Sequence, residues 1–226
     1  IFTEGSSLFL SLLYNIGQAR HHVHIETYII DDDAIGNLVA DALIDCASRG
    51  VEVRLIYDGV GNWRVPKKFF RRMTDAGVKA HPFLPVYFPL LTSRVNYRNH
   101  RKTIIIDGET AYIGGMNIAT RYIKDWRDTH MMVQGGVVNA IQRAFLIDWY
   151  FVSQTLITGQ RYYPEPRTNI SNDCIAQLVT GSPVSPDPTI VQGFVRTIIE
   201  ARDYLYMETP YFLPTETIMF ALHTAV

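Results

Sequence analysis

The chain has 226 residues, of which 47% are hydrophobic and 19% are charged, so it can bury a sizeable core and is not a disordered tail. Its net charge is −1 and its isoelectric point lies near 6.7, which argues against a dedicated nucleic-acid-binding protein, because such proteins carry a marked basic excess. No uninterrupted apolar run approaches the roughly 20 residues that span a bilayer, so the sequence predicts no transmembrane segment in this chain.

Helices and strands are predicted to alternate in the first quarter of the chain. Apolar residues at helical spacing predict a helix over 7–20, and the stretch HVHIETYII at 22–30 is typical of a strand. A second helix has one apolar face, and Gly50 can end it. That face consists of Ile35, Leu38, Val39, Leu43 and Cys46. A second strand follows at 51–58, which gives a βαβ order.

The remaining elements complete an α/β pattern. Pro66 can begin a short helix that runs to about residue 77, and a polar, proline-rich stretch follows it. Beyond a hairpin near residue 107, the segment 129–135 precedes a long helix that begins at about 137. We therefore expect a mixed β-sheet flanked by helices.

Two segments are candidates for contact with a membrane. The stretch VPKKFFRRM at 65–73 places paired basic residues around two phenylalanines, and anionic lipid would attract it. The stretch HPFLPVYFPLLTSR at 81–94 would either enter the lipid boundary or cover an active site. The alternatives are a solvated helix face for the first stretch and a loop packed on the core for the second.

A histidine and a lysine lie two residues apart just before an apolar strand. Side chains two apart on a strand share a face, so His100 and Lys102 are predicted to point together while Arg101 points away. Asp107-Gly108 interrupts the apolar run and predicts a hairpin turn. A nucleophile or proton carrier beside a fixed positive charge suits the chemistry of a phosphate ester.

A glycine pair and an asparagine follow the hairpin. Gly114 and Gly115 are predicted to leave room for a substrate, and Asn117 can direct its amide at an oxyanion. Each residue alone has a simple structural interpretation, as a turn, a solvated side chain or a hydrogen-bonded histidine. The ordered combination is the informative feature.

The order H-x-K-x-x-x-x-D followed by G-G-x-N resembles the signature of the phospholipase D superfamily. Its residues in this chain are His100, Lys102, Asp107, Gly114, Gly115 and Asn117. The likeness is greater to one branch, because four further stretches are similar to bacterial cardiolipin synthases. These stretches are SRVNYRNHRK, YIGGMNIATRY, WRDTH at 126–130 and FLIDWYF at 145–151.

This resemblance implies a phospholipase D-like fold and a phosphatidyltransferase. The expected reaction joins two phosphatidylglycerols, or related phospholipids, with release of glycerol through a phosphohistidine intermediate. It implies no cofactor and no metal, an anionic membrane surface as a partner, and the bacterial cell membrane as the location of the intact protein. The alternatives are a phospholipase or nuclease of the same superfamily, and a non-catalytic half-domain that binds anionic lipid.

The resemblance also assigns roles to single residues. His100 is expected to be the nucleophile or its acid/base partner, while the phosphate-binding residues are Lys102, Asn117 and Gly115. Asp128 is the candidate for orienting His100, and the alternative is a surface ion pair between Asp128 and Arg127. Asp107 is included with the catalytic set, although turn hydrogen bonds also explain it.

The remaining histidines and both cysteines are interpreted as structural. His22 and His24 share a face of the first strand, with His21 beside them, but no acidic or cysteine partners occur at a convincing metal-ligand spacing. Cys46 and Cys174 match neither a disulfide framework nor a metal cluster, which favours a reducing compartment. We therefore predict no metal site.

An internal repeat bears on the number of catalytic motifs. ARHHVHIETY at 19–28 returns as ARDYLYMETPY at 201–211, and helix-like apolar runs precede both copies. The predicted domains are therefore a first half at 1–165, which carries the motif, and a linker with the start of a second, incomplete repeat at 166–226. By resemblance the reaction needs two motifs, so the second would come from a missing C-terminal region or from a dimer, and this chain alone is expected to be inactive.

Overall fold

The computed structural model describes residues 1–84, 98–166, 174–181, 188–209 and 211–225. The chain forms two compact units, Ile1–Ala176 and Gln177–Val226, and each is considered by itself. The predicted stretch at 81–94 lies for the most part outside the described residues. Within the described ranges, no helix combines the length and the apolar character that are needed to cross a bilayer.

In the residues that the structure describes, the first unit begins with a helix, continues in the order strand-helix-strand-helix-strand, and then in the order strand-strand-helix-strand-helix. The helices are α1 (Gly5–Gly17), α2 (Ala34–Ser48), α3 (Lys67–Asp75), α4 (Arg121–Lys124) and α5 (Val137–Ser153). The strands are β1 (His22–Thr27), β2 (Glu52–Asp58), β3 (Lys79–Phe83), β4 (Thr103–Ile106), β5 (Thr110–Gly114) and β6 (His130–Gln134). A short 3₁₀ helix follows at Gln160–Tyr162.

The strands form one mixed sheet in the order β3-β2-β1-β4-β5-β6. β1, β2 and β3 are parallel to one another, because α2 and α3 supply the crossovers that parallel neighbours require. β4, β5 and β6 each run antiparallel to their preceding neighbour in the sheet. The predicted mixed sheet flanked by helices is confirmed, as are the predicted α2, α3 and the start of α5 near residue 137.

Both faces of β1 are buried, but they differ in chemistry. Val23 and Ile25 pack into an apolar core with α1 and α2, together with Leu12, Ile16 and Leu43. The opposite face carries His22, His24 and Glu26 and is covered by α5, as the stacking of His24 on Phe145 shows. The strand therefore separates an apolar layer from a layer rich in buried polar groups.

The strand directions bring the ends of several strands to one edge of the sheet, which we call the site edge. β1 and β2 end there, and β4 and β6 begin there, because β4 is antiparallel to β1 and β6 is antiparallel to β5. Tyr28, Asp58 and His100 all lie next to these strand ends. Ligand sites in open α/β sheets form at the carboxyl ends of parallel strands, so this edge is where function is expected.

The opposite end of β4 is the predicted hairpin, which is confirmed. Asp107 and Gly108 both have positive φ, of 55° and 71°, and they connect β4 to β5. The Asp107 carboxylate accepts hydrogen bonds from the backbone N–H groups of Arg20, His21 and His22, at 2.8–2.9 Å. Asp107 thus fastens the turn to the beginning of β1.

The described residues of the second unit form the helices α6 (Thr189–Glu200) and α7 (Glu216–Thr224). α7 begins at Glu216 and α2 begins at Ala34, which is the same offset of 182 residues that separates Ala201 from Ala19. Residues 201–209, which correspond to the region of β1, pair with no strand in the described part of this unit. The helix positions support the predicted internal repeat.

Candidate active site

His100 and Lys102 meet around the ring of Tyr28 at the site edge. The imidazole of His100 stacks on Tyr28 with ring centroids 4.0 Å apart and an interplanar angle of 18°. The Lys102 ammonium lies 5.4 Å from the centroid of the same ring and donates a hydrogen bond of 2.6 Å to the backbone carbonyl of His100. His100 and Lys102 are therefore close together, but both precede β4, so they meet around an aromatic ring and not on the predicted strand face.

The segment before β4 is fixed from both sides of His100. The backbone N–H of Asn99 donates to the buried carboxylate of Asp58 at 3.1 Å, and the Asn99 amide donates to the carboxylate of Glu26. Arg101 forms ion pairs with Glu26, at 3.7 Å, and with Asp148 on α5. Because both neighbours of His100 are held by buried or half-buried charges, the position of its backbone is set by β1, β2 and α5 together.

Lys102, which directly precedes β4, lies in a row with one residue of β5 and one residue of β6. Gly114 lies opposite Lys102 and donates its N–H to the Lys102 carbonyl at 3.3 Å, and β-pairing places His130 opposite Gly114. A Cβ atom on Gly114 would lie 2.5 Å from the Cα and 2.8 Å from the Cγ of His130. Gly114 therefore makes room for His130, whose ring lies beside the space that Lys102 occupies.

Gly115 makes room for Asp128 in the same way. A Cβ atom at Gly115 would lie 2.0 Å from one carboxylate oxygen of Asp128. The carboxylate accepts a hydrogen bond of 2.7 Å from the Thr129 N–H and interacts electrostatically with Lys102. The space that was expected to be open at the glycine pair is thus filled by protein, and Asp128 lies beside Gly115 and interacts with Lys102. The carboxylate that influences the pKa of His100 is Asp58.

The electrostatics of the pair favour an uncharged imidazole. Partial burial lowers the pKa of His100, the Lys102 charge lowers it further, and Asp58 opposes the change. Burial also lowers the pKa of Lys102, while Asp128 acts to raise it. A neutral imidazole beside an ammonium group is the combination that nucleophilic attack on an anionic phosphodiester requires.

Asn117 and Asp107, the other two signature residues, have roles within the protein. The Asn117 oxygen accepts from the Ile29 N–H at 3.1 Å, and its nitrogen donates to the Tyr122 hydroxyl at 2.6 Å. A carboxamide carries two N–H groups, so one remains for another acceptor. Asp107 is bonded to the start of β1, at the opposite end of β4 from His100, so it is not brought together with the pair.

The histidines of β1 belong to a separate buried network under α5. His22 and His24 both hydrogen-bond to Gln142, and His24 also pairs with Arg54 at 2.9 Å. Burial lowers the pKa of His22 to about 4 and that of His24 well below its usual range. Both histidines are thus hydrogen-bonded within the protein, and their structural role stays a prediction.

His130 is a further buried histidine that the sequence did not single out. It is 1% exposed, and neither ring nitrogen has a hydrogen-bond partner among the residues that the structure describes. Burial lowers its pKa to about 4, and the Lys102 charge contributes to the same effect. Among the described residues, no group of three or more His, Cys, Asp or Glu side chains is placed so that it could hold a metal ion.

Tyr28 and Asp58 were also missed, although a signal for them exists. Each comes at or just after the carboxyl end of a parallel strand, where binding and catalytic groups collect in α/β sheets. The local sequence gives no comparable signal for His130, because its contact with Gly114 depends on the register of β6.

Comparison with known proteins supports a specific family. A family described as "Cardiolipin synthase, PLD-like domain" matches residues 12–149, which span the sheet, His100 and Lys102. The chain therefore belongs to the cardiolipin synthase family of phospholipase D-like domains.

Individual relatives agree with this assignment. Cardiolipin synthase 2 of Bacillus anthracis is 38% identical over 229 residues, which cover 99% of this chain and 45% of that protein. A cardiolipin synthase of Oceanobacillus iheyensis is 39% identical over 233 residues, covering 100% of this chain and 48% of that protein. The chain spans about half the length of the curated relatives that it matches.

Among solved structures, Nuc from Salmonella typhimurium is described as a phospholipase D family member. It aligns with a TM-score of 0.49 and 17% identity, covering 62% of this chain and 85% of that one.

Proposed function

We propose that this chain supplies one half of the active site of a phosphatidyltransferase that makes cardiolipin from two phosphatidylglycerols. The observation that carries the proposal is that Lys102 lies beside His100, whose imidazole pKa is lowered by partial burial and by the Lys102 charge, in a chain of the cardiolipin synthase family. The anionic phosphodiester of phosphatidylglycerol is the kind of group that such a pair engages.

The proposed reaction has two displacements at phosphorus. A neutral imidazole, here His100, attacks the phosphorus of one phosphatidylglycerol, and the bond from phosphorus to the glycerol oxygen breaks. A second, protonated imidazole donates its proton to the departing oxygen, so free glycerol leaves and a phosphohistidine remains. The hydroxyl of a second phosphatidylglycerol then attacks phosphorus, its proton returns to the second imidazole, and His100 is released.

The other residues are proposed to stabilise negative charge on the phosphate or to position the groups that do so. Lys102 is proposed to carry the negative charge that spreads over the phosphate oxygens in both steps, with the remaining Asn117 N–H as a second donor and Gly115 beside it. Asp128 is proposed to hold Lys102 rather than to contact the lipid. Asp107 is proposed to act from a distance, by fixing the β4-β5 turn against β1.

The second histidine is proposed to come from a second copy of this motif, either further along the same polypeptide or on a partner subunit. The offset between α2 and α7 supports a repeat within one polypeptide, and would put the second H-x-K motif about 182 residues after the first. We place the complete enzyme at the bacterial cell membrane, where its lipid substrates are.

The experiment supplies a longer protein that carries this chain and a second motif with vesicles of phosphatidylglycerol, and follows cardiolipin and glycerol by mass spectrometry. Both products are expected in equal amounts, and His100→Ala should abolish them. Lys102→Ala should reduce turnover by on the order of 10²–10³, the usual effect of deleting one such electrostatic contact. His22→Ala, in the structural network, should reduce it far less.

Each variant must unfold at the same temperature as the parent before its rates are compared. Full activity in a folded His100→Ala protein would overturn the assignment. Release of phosphatidic acid instead of cardiolipin would indicate a phospholipase, and cleavage of DNA without any lipid product would indicate a nuclease.

A further inference from the structure

Two of the three tryptophans in the chain are exposed, and both are at the site edge. Trp63, in the loop after β2, is 68% exposed, and Trp126, shortly before β6, is 52% exposed. Trp149, in contrast, lies on the inner face of α5 and is buried. His100 lies between these two loops in the order of the sheet, so an exposed indole stands on each side of the candidate site.

Helix α3 follows Trp63 and has two different faces. Phe69 and Met73 are buried in the core, and Phe70 stacks on Tyr57 with ring centroids 3.9 Å apart. The outward face carries basic residues that are all exposed. These are Lys67, Lys68 and Arg71, with Arg64 just before the helix. The two phenylalanines that the sequence offered for membrane contact therefore pack inward, and the charges remain outside.

These exposed charges form no ion pairs within the described structure. Lys67, Lys68 and Arg71 form no ion pair with any described residue, whereas Arg72 on the inner side pairs with Asp41 at 2.8 Å. Lys67 and Lys68 also occupy the first turn of α3, where the helix dipole disfavours positive charge, and no described side chain caps this end. A sequence that breaks a local rule in this way usually does so for function.

The position of α3 connects these charges with the candidate site. Asp58 ends β2, receives the Asn99 N–H beside His100, and also accepts from Val60 and Gly61 in the loop that leads to Trp63. Gly61 in turn lies against Tyr28, the residue on which His100 stacks. The loop, the beginning of α3 and the catalytic pair thus form one continuous part of the site edge.

We infer that Trp63, Arg64, Lys67, Lys68, Arg71 and Trp126 form a docking surface for an anionic lipid bilayer. This inference deepens the proposed function, because it turns the site edge toward the membrane that holds the substrate. The docking surface carries four positive charges in a chain whose net charge is −1, so charge complementarity directs it toward a negative partner.

The chemistry of the docking surface favours lipid over other negative partners. Indole rings prefer the boundary between headgroups and acyl chains, and lysine and arginine are attracted to anionic headgroups. The guanidinium of Arg64 lies 4.8 Å from the centroid of Trp63, which brings the apolar and the charged groups to the same place. Single-stranded nucleic acid also combines stacking with charge, so the experiment includes it.

The first measurement is co-flotation of the 226-residue chain with vesicles of equal parts phosphatidylglycerol and phosphatidylcholine. Binding is expected to these vesicles and not to phosphatidylcholine alone. The triple variant Lys67→Gln, Lys68→Gln, Arg71→Gln should bind about 100-fold more weakly, since each basic residue near an anionic surface contributes about fivefold. The matched control is Arg20→Gln, Lys79→Gln, Arg143→Gln, which removes three exposed basic residues outside the docking surface and should bind as the parent does.

The second measurement asks whether the two indoles enter the lipid. In a variant with Trp149→Phe, brominated lipids in the same vesicles should quench the fluorescence of Trp63 and Trp126. A variant with Trp63→Phe and Trp126→Phe, which keeps only Trp149, should show no quenching. Circular dichroism confirms that each variant is folded before it is compared.

The outcomes separate docking from catalysis. In a longer protein with both motifs, the Lys67/Lys68/Arg71 variant should lose turnover of vesicles but keep turnover of a short-chain, monomeric phosphatidylglycerol. Equal vesicle binding by the parent and this variant, or tighter binding to a single-stranded oligonucleotide than to the vesicles, would overturn the docking surface. Absence of cardiolipin synthesis with vesicle binding intact would overturn the proposed function alone.

Discussion

The space next to Gly114 and Gly115, which was expected to admit a substrate, is filled by other side chains of the protein. His130 occupies the space over Gly114, and Asp128 occupies the space at Gly115, so both border Lys102. The absence of side chains at both glycines thus lets His130 and Asp128 set the surroundings of Lys102. Two predictions test this at the level of single residues.

Gly114→Ala should destabilise the protein, because the added methyl group would lie 2.5 Å from the backbone of His130 and of Thr129. Overpacking of this kind costs about 1–3 kcal/mol and sometimes more. The control is Gly136→Ala, where nothing lies within 4 Å of the added Cβ. Urea unfolding should show a lower midpoint for the first variant only, and equal midpoints would contradict the close approach.

His130→Phe should make the protein less sensitive to acid. The pKa of His130 is lowered to about 4 in the folded protein against about 6.5 when unfolded, so the unfolded chain binds the proton first as the pH falls. The folded protein keeps its full free energy of unfolding while His130 is neutral in both states, above about pH 6.5. It loses part of that free energy progressively as the pH falls from about 6.5 to about 4.

Between pH 7 and pH 5 the parent should therefore lose on the order of 2 kcal/mol more of its unfolding free energy than the phenylalanine variant does. Urea titrations of both proteins at the two pH values measure the difference, and any packing effect of the new ring cancels. An equal loss in both proteins would mean that His130 titrates at its ordinary pKa in the folded state.

At the scale of elements, β1 connects the core to the candidate site. Its His22 and His24 belong to the network under α5, and Glu26, at its far end, reaches Asn99 and Arg101 on either side of His100. Burial raises the pKa of Glu26, and the Arg101 charge and the Asn99 bond oppose this. The strand end thus fixes the segment that leads into β4.

Arg101→Gln should weaken this junction, because it leaves the carboxylates of Glu26 and Asp148 without their shared cation. Breaking such a buried pair costs on the order of 3 kcal/mol at neutral pH, and the loss should shrink in acid as Glu26 takes up a proton. The control is Arg143→Gln on α5, an exposed residue with no ion pair in the described structure. Chemical denaturation at pH 7 and pH 5 measures both, and equal effects of the two substitutions would contradict the junction.

At the scale of the whole molecule, the main question is where the second imidazole comes from. The 226-residue chain carries one H-x-K pair, and its second unit repeats the helix positions that flank β1. A displacement at a phosphodiester needs both a nucleophile and a proton donor for the leaving alkoxide.

The 226-residue chain by itself should therefore show almost no turnover of phosphatidylglycerol, whereas a longer protein with a second motif should make cardiolipin. Assays at increasing concentrations of the chain detect a dimer that assembles two copies of the pair. Activity that rises with the square of the concentration would favour the dimer, and concentration-independent specific activity equal to that of the longer protein would contradict the need for a second motif.

Local patterns were sufficient to predict several features of this protein. Apolar spacing predicted α2, Pro66 predicted the start of α3, and Asp107-Gly108 predicted the hairpin, because hydrophobic periodicity, helix-start residues and turn residues act over a few neighbouring positions. The alternation of side chains along a strand predicted that His100 and Lys102 point together, but both residues precede β4, and they meet around Tyr28 instead. The sequence thus determined the α/β class and the family, whereas the reactivity of His100 and Lys102 stays a prediction.

Only the tertiary structure decided what surrounds that pair. Tyr28, Asp58 and His130 reach the site through the order and register of β1, β2 and β6, and residues distant in sequence are brought together by pairing that no local pattern encodes. The same pairing separates Asp107 from His100, although only six positions along the chain lie between them. It also turns Phe69 and Phe70 into the protein and leaves the basic face of α3 outside, since burial depends on which face of a helix meets the sheet.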